Sequence, residues 1–458
     1  MSDERGDGTG RESILQQVGR ADLNLVRFLY CDNDGMVRGK ASGRSGLAQR
    51  LEAGIGLTVA MQAFTLLDHL APVEGMGPVG EVRLVPDPST FVVAPYAPRT
   101  GLALVDMETL EGEPYAADGR HFLKRMAARA ASRGVQMQAA FEPEWTLVLR
   151  DGDEYVPYDR SACFSTEGMN SAAEVIDEII VALEAQGLHV QQYYSELGWG
   201  QQELSIAHGG ALHAADAQIL YRETVRGVVR RFGLHASFAP KPWPDQPGNG
   251  CHLHFSALTG DDLAGAAFYD PYEGVGLSSL GRSFTAGVLE HLPGLLALTC
   301  ASVNSYRRLQ PQMWASAYRT WGPDNREAAL RVPSLFRGDE EGSTNVELKA
   351  CDSSCNPHLA LGGLIAAGLD GLERELELPA PVTVDPSTLS EEERAGLGAS
   401  PHPRSLGEAL DQLERDQVLM EALGSRLSQA YLAVKRQDVA DFAEQDDEFE
   451  FREHRFKF

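Results

Sequence analysis

Apolar and polar residues come close to alternating along Leu23–Tyr30, which predicts a strand with one face in a core. Asp32-Asn33-Asp34-Gly35 is turn chemistry and Met36–Lys40 runs back, so the segment reads as a β-hairpin. Ser45–Gly54 predicts a short helix closed by glycine. Leu57–Phe64 and Val82–Val93 read as further strands, the latter carrying the turn Pro86-Asp87-Pro88-Ser89. Ala97-Pro98-Arg99-Thr100-Gly101 leads into a strand over Leu102–Met107. Hairpin, helix and more strands make a small α+β unit, expected to span residues 19–108. The polar residues 1–18 before it are expected to form a flexible lead, and 109–458 a second, larger domain.

In the larger region the apolar spacing predicts helices at Arg120–Ser132, Ala172–Ala185, Ala214–Phe232, Gly281–Leu292, Pro357–Leu372 and Ser405–Val434. Asn356-Pro357 places a proline at a helix start. Strands are expected at Val135–Leu149, His189–Glu196, Gln201–Ile206, Cys251–Phe255 and Asn345–Lys349. The tail Asp447–Phe458 mixes acids, bases and aromatics, suited to joining a partner's sheet or threading into a neighbouring subunit.

The candidate chemistry sits on those strands. In Phe141-Glu142-Pro143-Glu144-Trp145 the period of two puts both glutamates on one face. Buried paired carboxylates raise each other's pKa unless cations neutralise them; a solvated strand face is the other reading. The two glycines of Glu196-Leu197-Gly198-Trp199-Gly200-Gln201-Gln202-Glu203 predict a tight connection that brings Glu196 and Glu203 across a hairpin. Val346-Glu347-Leu348-Lys349 adds a fifth glutamate. In Lys241–Ser256, proline and glycine keep Pro242–Gly250 irregular, and then His252-Leu253-His254-Phe255 alternates, with both imidazoles on one face. By itself this stretch fits equally a loop before a half-buried strand with hydrogen-bonded histidines. Carboxylates mixed with imidazole suit Mg²⁺ or Mn²⁺ handling phosphate better than a zinc cage. Two metals would let five acids coexist. Arg307, Arg308, Arg326 and Arg331 offer planar forks for carboxylate or phosphate.

Composition narrows the partners. The 458 residues carry 66 acids against 40 bases, a net charge of -26, which argues against general binding to nucleic acid or anionic membranes. An anionic substrate such as ATP meets a repelling field and needs metal ions and local arginines. The six cysteines have neither zinc nor CxxC spacing and read as reduced thiols. The polar stretch Met1–Glu12 has no apolar signal segment, and no run of about 18 apolar residues occurs, so a cytoplasmic protein is expected.

Together these segments resemble glutamine synthetase of the bacterial type I class and its γ-glutamyl-amine ligase relatives. The matching stretches are Lys241-Pro242 to Ser256, Glu142-Pro143-Glu144, Glu196–Glu203, Asn325-Arg326 to Pro333, and Val346–Lys349 with Asn356-Pro357. The resemblance runs over nearly the whole chain. It implies a β-grasp N-terminal domain and a glutamine synthetase/guanido kinase-like catalytic domain whose antiparallel strands line a funnel. It also implies a homo-oligomer, a dodecamer of two hexameric rings with sites shared between neighbours. The implied chemistry is phosphoryl transfer from ATP to the γ-carboxylate of L-glutamate, followed by attack of an amine on the acyl phosphate. Two or three Mg²⁺ or Mn²⁺ are implied. By matching, Glu144, Glu196 and Glu203 hold one, and Glu142, His252 and Glu347 a second. His208, His254 and Ser256 fall near the nucleotide, Gly248 and Arg308 at the glutamate, and Arg326 and Arg331 at the phosphoryl group. Lys349 stands where an arginine normally clamps substrate, and Pro247 where asparagine is common.

The departures bear on the nucleophile. Ammonia-using members of the family collect ammonium with a tyrosine, an aspartate and a serine, the last two from a neighbour's β-grasp domain, and with a glutamate on a mobile flap. Thr58 and Met61 stand at the aspartate and serine places, Cys163 at the tyrosine and Trp314 at the flap glutamate, leaving Glu196. An ammonium site stripped of carboxylates loses both its cation affinity and its proton acceptor. An organic amine gains apolar contact there, and an aromatic ring stacks on a cation. The resemblance therefore points to a glutamate ligase for a polyamine, ethanolamine or hydrophobic mono-amine. An ammonia-using glutamine synthetase and a silent metal-binding homologue are the alternatives.

Overall fold

The computed structural model describes residues 6–152, 154–260 and 265–458. Six strands form the first sheet: β1 (Leu25–Cys31), β2 (Val37–Gly43), β3 (Ile55–Thr58), β4 (Glu81–Pro86), β5 (Val92–Val93) and β6 (Thr100–Glu108). Their order is β2-β1-β6-β4-β3, with β5 on β6. The turn of the β1–β2 hairpin is closed by Asp32, whose Oδ1 accepts from the N–H of Asp34 and of Met36 at 2.9 Å each. Phe28, Leu47, Leu51, Leu84 and Val105 fill the core between this sheet and the helix Leu47–Ala53.

Two expectations for this unit fail. Residues from Gly6 to Arg20 form a helix, not a flexible lead. Ile14 and Val18, one turn apart, are 0% and 3% exposed in the same core; the polar composition hid this narrow apolar stripe. The strand expected over Leu57–Phe64 stops at Thr58, whose side chain accepts from Ala60 N and caps a 3₁₀ turn over Val59–Ala63.

The second sheet comprises β7 (Gln136–Asp151), β8 (Glu154–Pro157), β9 (Val190–Ser195), β10 (Gln201–Ile206), β11 (Gly209–Gly210), β12 (His235–Ser237), β13 (Cys251–Thr259), β14 (Gly265–Ala266), β15 (Tyr318–Pro323), β16 (Ala328–Val332), β17 (Val346–Leu348) and β18 (Ser400–Pro401). Its path is β18-β15-β16-β17-β13-β7-β10-β9, antiparallel throughout except for β15–β16. Side chains from β7, β9, β10, β13, β16 and β17 line a single cleft, the funnel of this α+β fold. Helices Gly119–Ala131, Ser279–Thr299 and Pro357–Glu373 pack together around the larger core.

Asn356 does two jobs at the last of these helices. Its side-chain oxygen accepts from His358 N and Leu359 N, capping the helix before Pro357. Its Nδ2 donates to the carbonyls of Cys31 and Asp32 at 3.0 Å each, tying the helix to the N-terminal hairpin. The helix expected over Ser405–Val434 is three: Leu406–Arg415, Gln417–Leu423 and Ser425–Ala443. Asp416 leaves the helical region to accept from Leu419 N, and Gly424 takes φ 79°. The tail is a helix, Asp447–Lys457, held by its own chain through ion pairs of Arg307 with Asp447 and Glu450 at 2.6 and 2.8 Å. Among the described residues no helix is long and apolar enough to cross a membrane.

His291 joins three of these helical segments. Its ring nitrogens lie 2.9 Å from Asp370 Oδ2 and 2.7 Å from Asp416 Oδ2, and Arg374 also pairs with Asp370 at 2.9 Å. Burial lowers the histidine's pKa, but the hydrogen bonds to Asp416 and Asp370 outweigh it and leave the value raised. A raised folded-state pKa stabilises fully below the ordinary histidine range and loses that contribution as pH climbs through the raised value. The thermal midpoint of wild type minus that of His291→Asn is therefore expected to be largest near pH 5.5. Scanning calorimetry should show it shrinking by pH 9.

Candidate active site

Strand register assembles the acidic cluster. Glu144 on β7 lies opposite Glu203 on β10, and Glu142 opposite His252 on β13. His254 lies opposite Glu347 on β17, which lies opposite Arg331 on β16. Directly opposed residues share a face of the sheet, so groups far apart in sequence converge. His252 Nδ1 is 3.3 Å from Glu347 Oε1 and 3.7 Å from Glu142 Oε2, and its Nε2 is 3.8 Å from Glu144 Oε1. His254 Nε2 is 3.3 Å from Glu142 Oε2, and Nδ1 is 2.9 Å from Asn345 Oδ1. Glu142, His254 and Glu347 present ligand atoms within 4.8 Å of one another. Both imidazoles thus reach the Glu142–Glu347 pair.

The electrostatics suit a cation. Burial raises the Glu203 carboxyl far above its ordinary range, and the charges of Glu142 and Glu144 add to this. Burial and the charge of Glu196 likewise raise Glu144. Burial and Lys349 push His252 down to about 4, leaving a neutral imidazole with a lone pair to give. Burial also opposes charge on His254, but its hydrogen bond to Glu142 wins and holds it up at about 9. Protons here occupy places that divalent cations would otherwise neutralise, so these donors fit hard divalent metals.

The hairpin differs from expectation. Tyr194, not Glu196, lies opposite Glu203, and its hydroxyl donates to Glu203 Oε1. The turn closes where Glu196 N donates to Gln201 O at 2.9 Å, so Glu196 sits at the hairpin's end, its own carboxylate accepting from Leu197 N at 2.8 Å. Burial raises the Glu196 carboxyl against the pull of Arg326.

Anion donors face the cluster. Arg308 is buried; it donates to Cys351 O at 3.0 Å and its Nε has no partner. A Cβ on Gly248 would meet Pro240 O at 2.4 Å and Arg308 Cγ at 2.6 Å, so only glycine lets the loop lie against the stem of that arginine. Arg331 pairs with Glu347 at 2.8 Å and likewise has an unpartnered Nε. Lys349 Nζ lies 3.3 Å from Glu347 Oε1. Buried guanidinium N–H groups without acceptors are costly unless a bound anion takes them.

All of these residues line one cleft of about 1310 Å³. It takes in Glu142, Glu144, Glu196, Glu203, His252, Glu347, His208, His254, Ser256, Gly248, Arg308, Arg326, Arg331, Lys349, Cys163 and Trp314. Thr58 and Met61 do not line it; within one chain they belong to the N-terminal sheet and the turn after it. Sequence reasoning missed Tyr194 and Gln201, although Gln201 stands two residues before Glu203 on one strand and so shares its face. It also missed a group of exposed apolar side chains in the cleft: Phe164, Leu197, Met313 and Phe336. Trp314, 62% exposed, lies in a loop where Gln312, Trp314 and Ser316 all have positive φ, and its N–H donates to Glu327 Oε1 at 2.8 Å.

Known proteins share this architecture. The glutamine synthetase catalytic-domain model matches residues 116–454, and the glutamine synthetase N-terminal-domain model matches residues 12–121. Gamma-glutamylpolyamine synthetase GlnA3 of Streptomyces coelicolor is 36% identical over 439 residues, 94% of this chain and 93% of that protein. Glutamine synthetase of Methanocaldococcus jannaschii is 35% identical over 451 residues, 94% and 95% of the two chains. A solved novel glutamine synthase homolog superposes with a TM-score of 0.85 at 32% identity, covering 95% of this chain and 99% of that one.

The cluster makes a metal prediction. Mn²⁺ at about 100 times its Kd should stabilise the fold by about 2.7 kcal/mol, read as a rise in thermal midpoint that a chelator reverses. Glu203→Gln should leave the metal-free midpoint no lower than that of wild type, because a carboxyl already held protonated is replaced by a neutral isostere. The same substitution should shrink the Mn²⁺-dependent rise.

Proposed function

The chain belongs to the glutamine synthetase family, and we propose that it joins the γ-carboxylate of L-glutamate to an organic amine through γ-glutamyl phosphate. Enzymes of this family are ATP-dependent ligases that use divalent metals. Glu144, Glu196 and Glu203 would hold one cation, and Glu142, His252 and Glu347 another, with His254 beside the second. Mg²⁺ or Mn²⁺ bound there supplies the positive charge that the triphosphate needs.

The rest falls to the chain's own groups. Arg308, with its unpartnered Nε, and the close-packed Gly248 form a carboxylate-binding wall for glutamate. Arg331, Arg326 and Lys349 offer cationic donors to the transferring phosphoryl oxygens. His208, His254 and Ser256 are assigned to the nucleotide side of the cleft. In the second step the amine nitrogen bonds to the acyl carbon, phosphate leaves, and the nitrogen's proton passes to Glu196.

One observation carries the choice of nucleophile: the cleft that contains Glu196 is walled by Cys163, Phe164, Leu197, Met313 and Trp314. This wall favours an amine with an apolar body over ammonium, which needs acids around it. Similarity to a gamma-glutamylpolyamine synthetase supports the same reading. A dodecamer of two hexameric rings is part of the proposal. In it Thr58 and Met61 of a neighbour complete the amine site, which accounts for their position outside the cleft of their own chain.

The test is an ADP-release assay with glutamate and a panel of putrescine, spermidine, ethanolamine, isoamylamine and ammonium. The expected result is a higher kcat/KM for at least one organic amine than for ammonium; ammonium as the best substrate would make the protein an ammonia-using synthetase. Trp314→Glu combined with Thr58→Asp is expected to raise ammonium-dependent kcat/KM by about tenfold, or 1.4 kcal/mol of barrier. No change in ammonium use would remove Trp314 and Thr58 from the amine site.

A further inference from the structure

Gln201 opens β10 two residues before Glu203, so its side chain projects to the same face. It is 3% exposed. Its amide is engaged with three separate parts of the cleft. Nε2 donates to Glu144 Oε2 at 2.7 Å and to Gly248 O at 2.9 Å, and Oε1 accepts from Gly198 N at 2.8 Å. Both N–H bonds and the carbonyl are therefore used, one on a proposed metal ligand, one on the glutamate loop and one on the hairpin that carries Glu196.

These attachments leave little slack. Gly250 N also donates to Glu144 Oε2, at 2.9 Å, so the carboxylate and the Gly248–Gly250 loop are linked at two points. Gly248 lies against the aliphatic stem of Arg308, where a Cβ would meet Cγ at 2.6 Å, so the loop and the arginine side chain pack on one another. A carboxylate in place of the amide would face the Glu144 carboxylate and the Gly248 carbonyl with no proton to offer. An apolar side chain would take the donor from Gly248 O and the acceptor from Gly198 N, and would leave Glu144 Oε2 with Gly250 N alone.

Resting on the proposed assignment of Glu144 to a metal and of Gly248 and Arg308 to glutamate, we infer that Gln201 is a positioning residue that couples the two sites. The bond to Glu144 fixes that carboxylate when a cation is present, and the bond to Gly248 passes the same constraint to the Arg308 wall. A divalent cation and glutamate then bind with positive cooperativity, by equal factors in either direction.

The experiment measures glutamate affinity by calorimetry at low and at saturating Mn²⁺, together with Mn²⁺ affinity with and without glutamate. Wild type is expected to bind glutamate tighter with Mn²⁺ by a factor on the order of tenfold. Gln201→Met and the shortened Gln201→Asn are expected to bring that ratio to near one while each ligand alone still binds. Gln202 points the other way, donating to Gly200 O at 3.3 Å and accepting from the Tyr193 hydroxyl at 2.7 Å, so Gln202→Met controls for packing and should keep the wild-type ratio. A wild-type ratio in the folded Gln201 variants would overturn the inference, as would equal loss of coupling in Gln202→Met. Wild-type protein that binds neither glutamate nor Mn²⁺ would overturn the underlying assignment and the inference together, a result distinct from intact binding with unchanged coupling.

Discussion

Mutual repulsion among carboxylates on one buried sheet face is the constraint on which the rest of this structure depends. Glu142, Glu144, Glu203 and Glu347 lie on neighbouring strands, and the register leaves them no way to turn apart. Left without cations, burial forces protons onto Glu203 and Glu144, while Glu142 and Glu347 stay ionised only beside histidine, lysine and arginine. A fold gains nothing in stability from such a face; hydrophobic residues of the same volume would pack more favourably. The arrangement makes sense as a preorganised site in which metal charge and anionic substrate are each other's counterions.

Holding those groups in place falls to a rigid surround. The helices Ser279–Thr299 and Pro357–Glu373 form an apolar back wall. The N-terminal unit is tied to the second of them by the two hydrogen bonds of Asn356, and to the helix Ser425–Ala443 by the buried pair of Lys435 with Asp34. Its hairpin turn therefore abuts the catalytic domain, while Thr58 and Met61 stay clear of the cleft on the same chain. In the assembly proposed above, the active site would depend on a neighbouring subunit as well as on folding.

Much of this was legible from residue periodicity. Alternation placed Glu142 with Glu144 and His252 with His254, because a strand's faces follow from a period of two whatever its neighbours. What alternation cannot give is register. Tyr194 stands across from Glu203 because the turn closes on Glu196 and Gln201, which shifts the partner of Glu203 by two residues from the one its two glycines suggested. Propensity misled at the ends: two buried residues in an otherwise polar stretch made a helix of the expected flexible lead. A single capping aspartate, Asp416, and Gly424 split a periodic run into three helices. The arginine-bearing strands β15 and β16 escaped notice because their order in the sheet is set by long-range pairing. Residues with ordinary side chains and extraordinary positions, Gln201 above all, become visible only when their hydrogen-bond partners are known.

In the reaction proposed above, the metal face and the arginine wall activate a carboxylate, and the apolar mouth selects what attacks it. The most direct measurement is product identity under competition: enzyme, ATP, Mg²⁺ and L-glutamate with ammonium and the amine panel at equal concentrations, the products read by mass spectrometry. A γ-glutamyl adduct of an organic amine is expected to dominate. Glutamine as the main product would contradict the proposed reaction.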